Sequence, residues 1–226
     1  MNDTKQTQPD KLSLDPFGTH TKIIDAVPEK SCVLDIGCSS GYIGKILHQE
    51  KGCEITGVEP HQEAAAEAMQ AGYKYVYISS IEEAIQKLKN SDQRFDVIIL
   101  ADVLEHILAP RDVLKQLHSL LTSQGNVIVS LPNVAHYSTR WMLLRGGWNY
   151  ADAGIMDRTH LWWFTKRSAQ DMFKNSGYKV YSWQPRGDVA RLANKLKLVS
   201  VGKMLETQFA GFFAVQHIFV LTRDEN

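Results

Sequence analysis

Short apolar runs alternate with longer stretches in which apolar residues recur every three or four positions. The first run, Ser31 to Ile36, reads as a buried strand. Tyr42 to Gln49 then puts Ile43, Ile46 and Leu47 on one helical face. Cys53 to Val58 is a second strand, and the alanine-rich stretch from His61 to Ala71 is a helix that Gly72 ends. Lys74 to Ser79 predicts a third strand and Ile81 to Asn90 a third helix. Phe95 to Leu100 has few polar side chains, as a central strand should. Asp112 to Leu121 predicts a helix, and Gly125 to Leu131 a fifth strand halted by Pro132.

Such β-α alternation specifies a doubly wound parallel sheet with helices on both faces. From Asn133 to Trp163 the pattern breaks into a stretch rich in Trp, Tyr, Arg, Gly and His. Regularity returns with a helix from Lys166 to Asn175 and a strand from Tyr178 to Trp183. A basic amphipathic helix over Ala190 to Leu205 precedes a last strand, Phe212 to Leu221. The expected fold is therefore α/β: seven strands, mostly parallel, with one antiparallel edge strand and a helical, aromatic insert over about 133–165. Residues 1 to 15 read as a flexible tail, and 16 to 226 as a single domain.

Composition excludes several function classes. The chain of 226 residues is 44% hydrophobic and 22% charged, as in ordinary globular proteins. Its 25 Lys and Arg match 25 Asp and Glu, which argues against a protein that coats a nucleic acid. No apolar run approaches the roughly 18 residues of a membrane span. The polar first residues lack the apolar core of a secretory signal. Cys32, Cys38 and Cys53 are odd in number and lack metal-ligand spacing, so reduced thiols and a cytoplasmic location are expected.

The strongest chemical signal runs from Val33 to Gly44, where the first strand turns into the first helix. In doubly wound sheets ligands bind at the carboxyl ends of strands, and glycines let the backbone approach them closely. Gly37 and Gly41 lack the G-x-G-x-x-G spacing, and the acid Asp35 ends the strand. A pyrophosphate would be repelled there, whereas a ligand bearing positive charge is favoured. Glu59 closes the second strand ahead of Pro60, where a carboxylate can accept from both hydroxyls of a ribose. Together these acids describe a nucleoside with a cationic substituent and no phosphates.

This constellation resembles the class I S-adenosylmethionine (SAM)-dependent methyltransferases, over residues 15–185, and implies their Rossmann-like fold. The resemblance implies that Asp35, Gly37, Cys38 and Gly41 hold the amino and carboxyl ends of the cofactor, and that Glu59 and Pro60 meet its ribose. Phe95 to His106 matches the family's fourth-strand motif, which implies that Asp102, Val103 and Leu104 wall the site near the methyl group. Many members place Asp after the third strand to meet the adenine amino group; here stand Ser79, Ser80 and Ile81. The backbone amides of Ser80 and Ile81 are the expected adenine contacts.

The segments from Leu131 to Tyr137 and from Gly154 to Thr165 resemble bacterial methyltransferases often found with polysaccharide or secondary-metabolite genes, in which this insert forms a substrate lid. More distantly they resemble ubiquinone-biosynthesis O-methyltransferases and small-RNA 2′-O-methyltransferases. In such relatives an acid-x-x-Glu-His element and a later His surround a divalent metal. The corresponding positions are Asp102, Glu105, His106 and His160, with Asp102 shorter than the usual Glu. Three readings stand. His106 or His160 takes a proton from the acceptor, since imidazole titrates near neutrality; the group holds a divalent metal; or the histidines only position substrate. The first is preferred over the metal. His136 is a further candidate, balanced by the reading of a loop histidine bonding backbone. His20, His48, His61, His118 and His217 read as surface or structural.

Tyr137, Trp141, Trp148, Tyr150, Trp162 and Trp163 suit sugar rings or flat organic substrates, and Arg140, Arg145 and Arg158 an acidic one. Half of these aromatics, Trp163 and Phe164 first, are expected in the lid's own core. Arg191, Lys195, Lys197 and Lys203, with Leu192, Leu196, Val199 and Leu205 between them, read as a helix packed on the sheet or on a second copy in a homodimer, in preference to one lying on a membrane. The resulting expectation is SAM-dependent methyl transfer to a hydroxyl of a small molecule or saccharide. The rivals are N- or C-methylation and a non-catalytic SAM-binding regulatory module. An RNA methyltransferase is disfavoured by the zero net charge.

Overall fold

Residues 32–36 alternate Val33 toward one face with Leu34 and Ile36 toward the other, and both faces are covered. A strand buried on both sides is what a doubly wound sheet requires. In the computed structural model, which describes residues 15–195 and 197–224, this segment is β1 (Cys32–Ile36). The other strands are β2 (Glu54–Val58), β3 (Tyr75–Tyr77), β4 (Phe95–Ala101), β5 (Leu121–Pro132), β6 (Tyr178–Gly187) and β7 (Ala214–Arg223). They form one seven-stranded sheet in the order β3-β2-β1-β4-β5-β7-β6. β7 runs antiparallel to both β5 and β6. The reversed strand thus belongs to the edge pair, with β6 outermost.

Ten helices are described. α1 (Thr19–Ala26), α2 (Tyr42–Lys51) and α3 (Gln62–Gln70) cover one face through Ile23, Ile46, Leu47 and Ala65. α4 (Ile81–Lys89), α5 (Pro110–Leu117) and α7 (Lys166–Asn175) cover the other through Ile85, Leu88, Leu114 and Phe173. α6 (Tyr137–Leu144) lies in the insert, and α8 (Val189–Lys195), α9 (Val199–Gln208) and α10 (Ala210–Phe213) lie between β6 and β7. Chain order returns from β3 across β1 to β4, so the sheet's switch point falls at the carboxyl ends of β1 and β4.

Several expected boundaries move. α5 starts at Pro110, a residue suited to a first helical turn, and Leu121 belongs to β5 rather than to the helix. The single helix expected over Ala190–Leu205 is two, because Lys197 takes a left-handed conformation (φ 58°) between them. Leu196 falls outside the described residues. The last strand begins at Ala214, since 210–213 coil into α10. The tail expected over 1–15 lies outside the described residues up to position 14. Asp15 itself is ordered, its carbonyl accepting from the Gly18 amide and the Thr21 hydroxyl.

Candidate active site

The loop from β1 to α2 turns on two glycines. Gly37 (φ 71°) and Gly41 (φ 83°) both adopt left-handed backbone. A Cβ on Gly37 would sit 2.8 Å from Val103, so the loop lies directly against the end of β4. The Gly37 and Cys38 amides donate to the Val58 carbonyl, tying the loop to β2. Asp35 is only 2% exposed, and the Tyr73 hydroxyl donates to its Oδ2 at 2.5 Å. Burial pushes the Asp35 carboxyl up to about 7, against the pull of the Tyr73 hydrogen bond. Burial, with Asp35 and Glu59 nearby, also pushes the Cys38 thiol up, so Cys38 is an inert thiol. Tyr73 fits because Gly44 has no side chain: a Cβ there would lie 2.2 Å from its ring.

Glu59, at the carboxyl end of β2, is 6% exposed. Its Oε2 accepts from the Ser39 amide at 3.0 Å. Its Oε1 accepts from the His61 amide at 2.9 Å and lies 2.8 Å from His61 Nδ1. A carboxylate has about four lone-pair sites, so these contacts leave one free. The His61 ring is 83% exposed and can yield a second. Pro60 follows on the surface, and Ser80 caps α4 by accepting from the Glu83 amide, with Ile81 as its first residue. All three sit at the carboxyl edge beside Glu59.

Next to this cleft lies a cavity of about 620 Å³. Asp102, Glu105, His106 and His160 line it, together with Thr19, His20, Tyr42, Gln216 and Arg186. Asp35, Gly37, Cys38, Gly41, Glu59, Pro60, Ser80 and Ile81 do not, nor do Val103 and Leu104. The Leu104 side chain is fully buried in the hydrophobic core. Val103 packs against Gly37 instead. Asp102 has left-handed backbone (φ 55°) and a carboxylate held on both oxygens. Ser130 Oγ donates to Oδ1 at 2.7 Å and Gln216 Nε2 to Oδ2 at 2.6 Å, while the Thr19 hydroxyl donates to Gln216 Oε1. Asp102 is thereby committed to its neighbours and stands apart from the Glu105–His106–His160 group.

The two histidines form an edge-on pair with ring centroids 4.7 Å apart. Hydrogen-bond partners decide their tautomers. The Thr159 hydroxyl lies 2.6 Å from Asp157 Oδ1, a carboxylate that can only accept, so its proton goes there. His106 Nδ1, 3.1 Å from the same hydroxyl and 3.3 Å from the Thr159 carbonyl, must then donate. His160 Nδ1 is 3.2 Å from the Ile155 carbonyl and donates as well. In the neutral tautomer so oriented, Nε2 is the lone-pair atom of each ring. His106 is exposed; His160 is 7% exposed, and burial with His106 beside it lowers its pKa. Glu105 is fully buried and neither of its oxygens has a hydrogen-bond partner. Its carboxyl is pushed up to about 9, first by burial and then by Asp102. His160 Nε2 lies 4.0 Å from Glu105 Oε1.

None of Tyr137, Trp141, Trp148, Tyr150, Trp162 and Trp163 lines this cavity. Phe164 is core, and Trp163 is half-buried against Trp148. The arginines are engaged elsewhere. Arg140 donates to the Ala135 carbonyl, Arg145 covers Trp141, and Arg158 pairs with Asp152. His136 caps α6 by accepting from the Ser138 amide. His20, expected to be surface or structural, faces the cavity and packs on Tyr42. Arg186, Gln216, Thr19 and Tyr73 carried no motif signal, because each acts through a contact between elements distant in the chain.

A family model described as a methyltransferase domain matches residues 17–182. The ubiquinone biosynthesis O-methyltransferase of Serratia proteamaculans is 29% identical over 132 residues, 57% of this chain and 53% of that protein. Its counterpart in Yersinia enterocolitica is 29% identical over 133 residues, 57% of this chain and 52% of that protein. The chain thus spans about half the length of the curated relatives it matches. A SAM-dependent methyltransferase from Archaeoglobus fulgidus superimposes with a TM-score of 0.62 at 16% identity, covering 91% of this chain and 95% of the other. Among the described residues no helix is long and apolar enough to cross a membrane. With the family model spanning most of the sheet and the glycine loop at its switch point, the chain belongs to the class I SAM-dependent methyltransferases.

Proposed function

We propose that this methyltransferase methylates a hydroxyl of a small molecule or saccharide, with His106 or His160 accepting the hydroxyl proton. The observation that carries the reading is the edge-on histidine pair lining the cavity, each ring with Nδ1 turned to a fixed oxygen partner. When bound, SAM supplies a methyl group on a sulfonium, open to in-line attack. The cleft suits that charge, because the Glu59 carboxylate lies near Asp35 and adds negative potential there, and no Lys or Arg is among the groups that shift Asp35. Glu59 would take the ribose, Asp35 and the loop through Gly37, Cys38 and Gly41 the amino acid end, and Pro60, Ser80 and Ile81 the adenine side. The residues at the acceptor side hold the hydroxyl and take its proton; much of the rate then comes from orientation.

The test is transfer of labelled methyl from SAM to a panel of hydroxylated aromatics and saccharides, with matched amines beside them. The expected product is an O-methyl ether. Products only from amines would overturn the hydroxyl reading. SAM binding with no transfer to any acceptor would favour a regulatory module.

Asp35 gives a second test, with a sign that follows from burial. Its folded value, about 7, lies above the unfolded one, so its contribution favours the fold at low pH and is lost as pH rises through about 7. Asp35→Asn removes that loss. We expect a higher thermal midpoint than wild type for the ligand-free protein at pH 8, with the gap closing toward pH 5. SAM affinity should fall by roughly tenfold in the same variant, as one lost charge-assisted contact implies. A lower midpoint at pH 8 with unchanged affinity would contradict both roles.

A second reading is favoured by one observation, the two unpartnered oxygens of buried Glu105. Glu105, His106 and His160 each offer an atom within 4.8 Å of the others, so these three residues fit a divalent cation. Bound there, such a cation would lower the acceptor hydroxyl's pKa. Calorimetric titration of Mg²⁺ or Zn²⁺ into wild type and Glu105→Gln separates this reading from the first.

A further inference from the structure

We propose that Arg186 binds an anionic group, a carboxylate or a phosphoryl oxygen, of the methyl acceptor. The inference rests on the acceptor-site reading above and names a chemical class for what enters it. Arg186 lies near the carboxyl end of β6, paired in register with Gln216 on β7. Paired residues on adjacent strands point to the same face. Gln216 reaches Asp102 from that position, so Arg186 sits one strand farther along the same cavity wall.

Charge accounting singles it out. Among the described residues that line the cavity it is the sole Lys or Arg. The acids around it are already served: Asp102 by Ser130 and Gln216, Asp157 by Thr159, and Asp15 by Arg191. Glu105 is too deeply buried to hold a charge alone. Arg186 is the opposite case. Its Nε–H is buried with no hydrogen-bond partner. Its guanidinium lies 3.8 Å from Asp188, a largely exposed group that also pairs with Arg191. A buried N–H left unpaired costs free energy unless a ligand meets it. A planar fork with a free Nε–H edge is suited to two oxygens of one anion. Arg140, Arg145 and Arg158, which the insert offered as anion contacts, are turned to other partners.

The test uses the full chain saturated with S-adenosylhomocysteine (SAH), with benzoate and inorganic phosphate as separate probes in calorimetry. At least one probe should bind wild type. Arg186→Gln should weaken that binding by roughly tenfold, the effect of one charge-assisted contact, while Arg158→Gln leaves it unchanged. SAH affinity should be equal in all three proteins, so a failure to bind SAH speaks against the methyltransferase reading and not against Arg186. Should Arg186→Gln fail to fold, the wild-type Arg186 Nε–H resonance gives the answer, and it should shift on adding the probe more than that of any other arginine. Neither probe binding to wild type, equal binding to Arg186→Gln, or an unmoved Arg186 resonance would overturn the proposal. Phosphate binding without benzoate binding assigns the group as phosphoryl.

Discussion

Glu59→Ala is expected to weaken SAH binding by roughly 100-fold or more, the cost of two hydrogen bonds to a charged acceptor. The geometry explains the size. Glu59 is buried at the end of β2, and it both offers one free lone pair, with a second where His61 yields, and holds the Ser39 and His61 amides in place. Alanine removes the carboxylate proposed to accept from the ribose and releases its contacts to the Ser39 and His61 amides. Glu59→Gln keeps one acceptor oxygen and most of the loop contacts, so its thermal midpoint should stay near that of wild type while SAH binding still falls. Calorimetry and thermal melts on the same samples separate binding from folding. Wild-type affinity in Glu59→Ala would remove Glu59 from the cofactor site.

His106→Asn and His160→Asn are expected to lower turnover by roughly 100- to 1,000-fold, as loss of a positioned proton acceptor does. SAH affinity should stay within about twofold of wild type, because neither ring lies in the Gly37–Gly41 loop or beside Glu59; a change of that size is worth less than one ordinary hydrogen bond. His106 is the more accessible of the two, and its Nδ1–H is directed by Thr159, whose own proton is taken by Asp157. That chain orients the ring so that its neutral form carries the lone pair on Nε2, the arrangement a base needs. His160 is held by the Ile155 carbonyl and packs edge-on against His106. Treatment of wild type with a chelator should leave turnover intact if the pair acts as a base, and abolish it if Glu105 and the two rings act through a cation. Full turnover in both variants would show that neither histidine takes part.

The sheet was legible because its signal is local. Each parallel strand is buried on both faces and so reads as a short apolar run, as in Phe95–Leu100. Each covering helix repeats every three or four residues, as in Ile81–Lys89. α6 left no such trace, since Tyr137–Leu144 carries large side chains all round and buries only Thr139. The break at Lys197 was hidden for a different reason: left-handed backbone is unusual for lysine, and nothing in its neighbours announces it. Asp35 and Glu59 stood out because they fall at strand ends near glycines. Their partners did not. Tyr73 reaches Asp35 across 38 positions, Gln216 reaches Asp102 across 114, and the space for Tyr73 comes from the missing side chain of Gly44. Contacts of that range are made by the fold, so residues such as Arg186 became visible as site residues only once β6 and β7 were seen side by side at the sheet's edge.

The most direct test of the account is a crystal structure of the protein with SAH bound. The account predicts both ribose hydroxyls within hydrogen-bond distance of Glu59, the amino acid end at the Gly37–Gly41 loop, and the sulfur facing the cavity lined by Asp102, His106 and His160. A nucleoside bound away from Glu59, or a sulfur turned from the histidine pair, would contradict it.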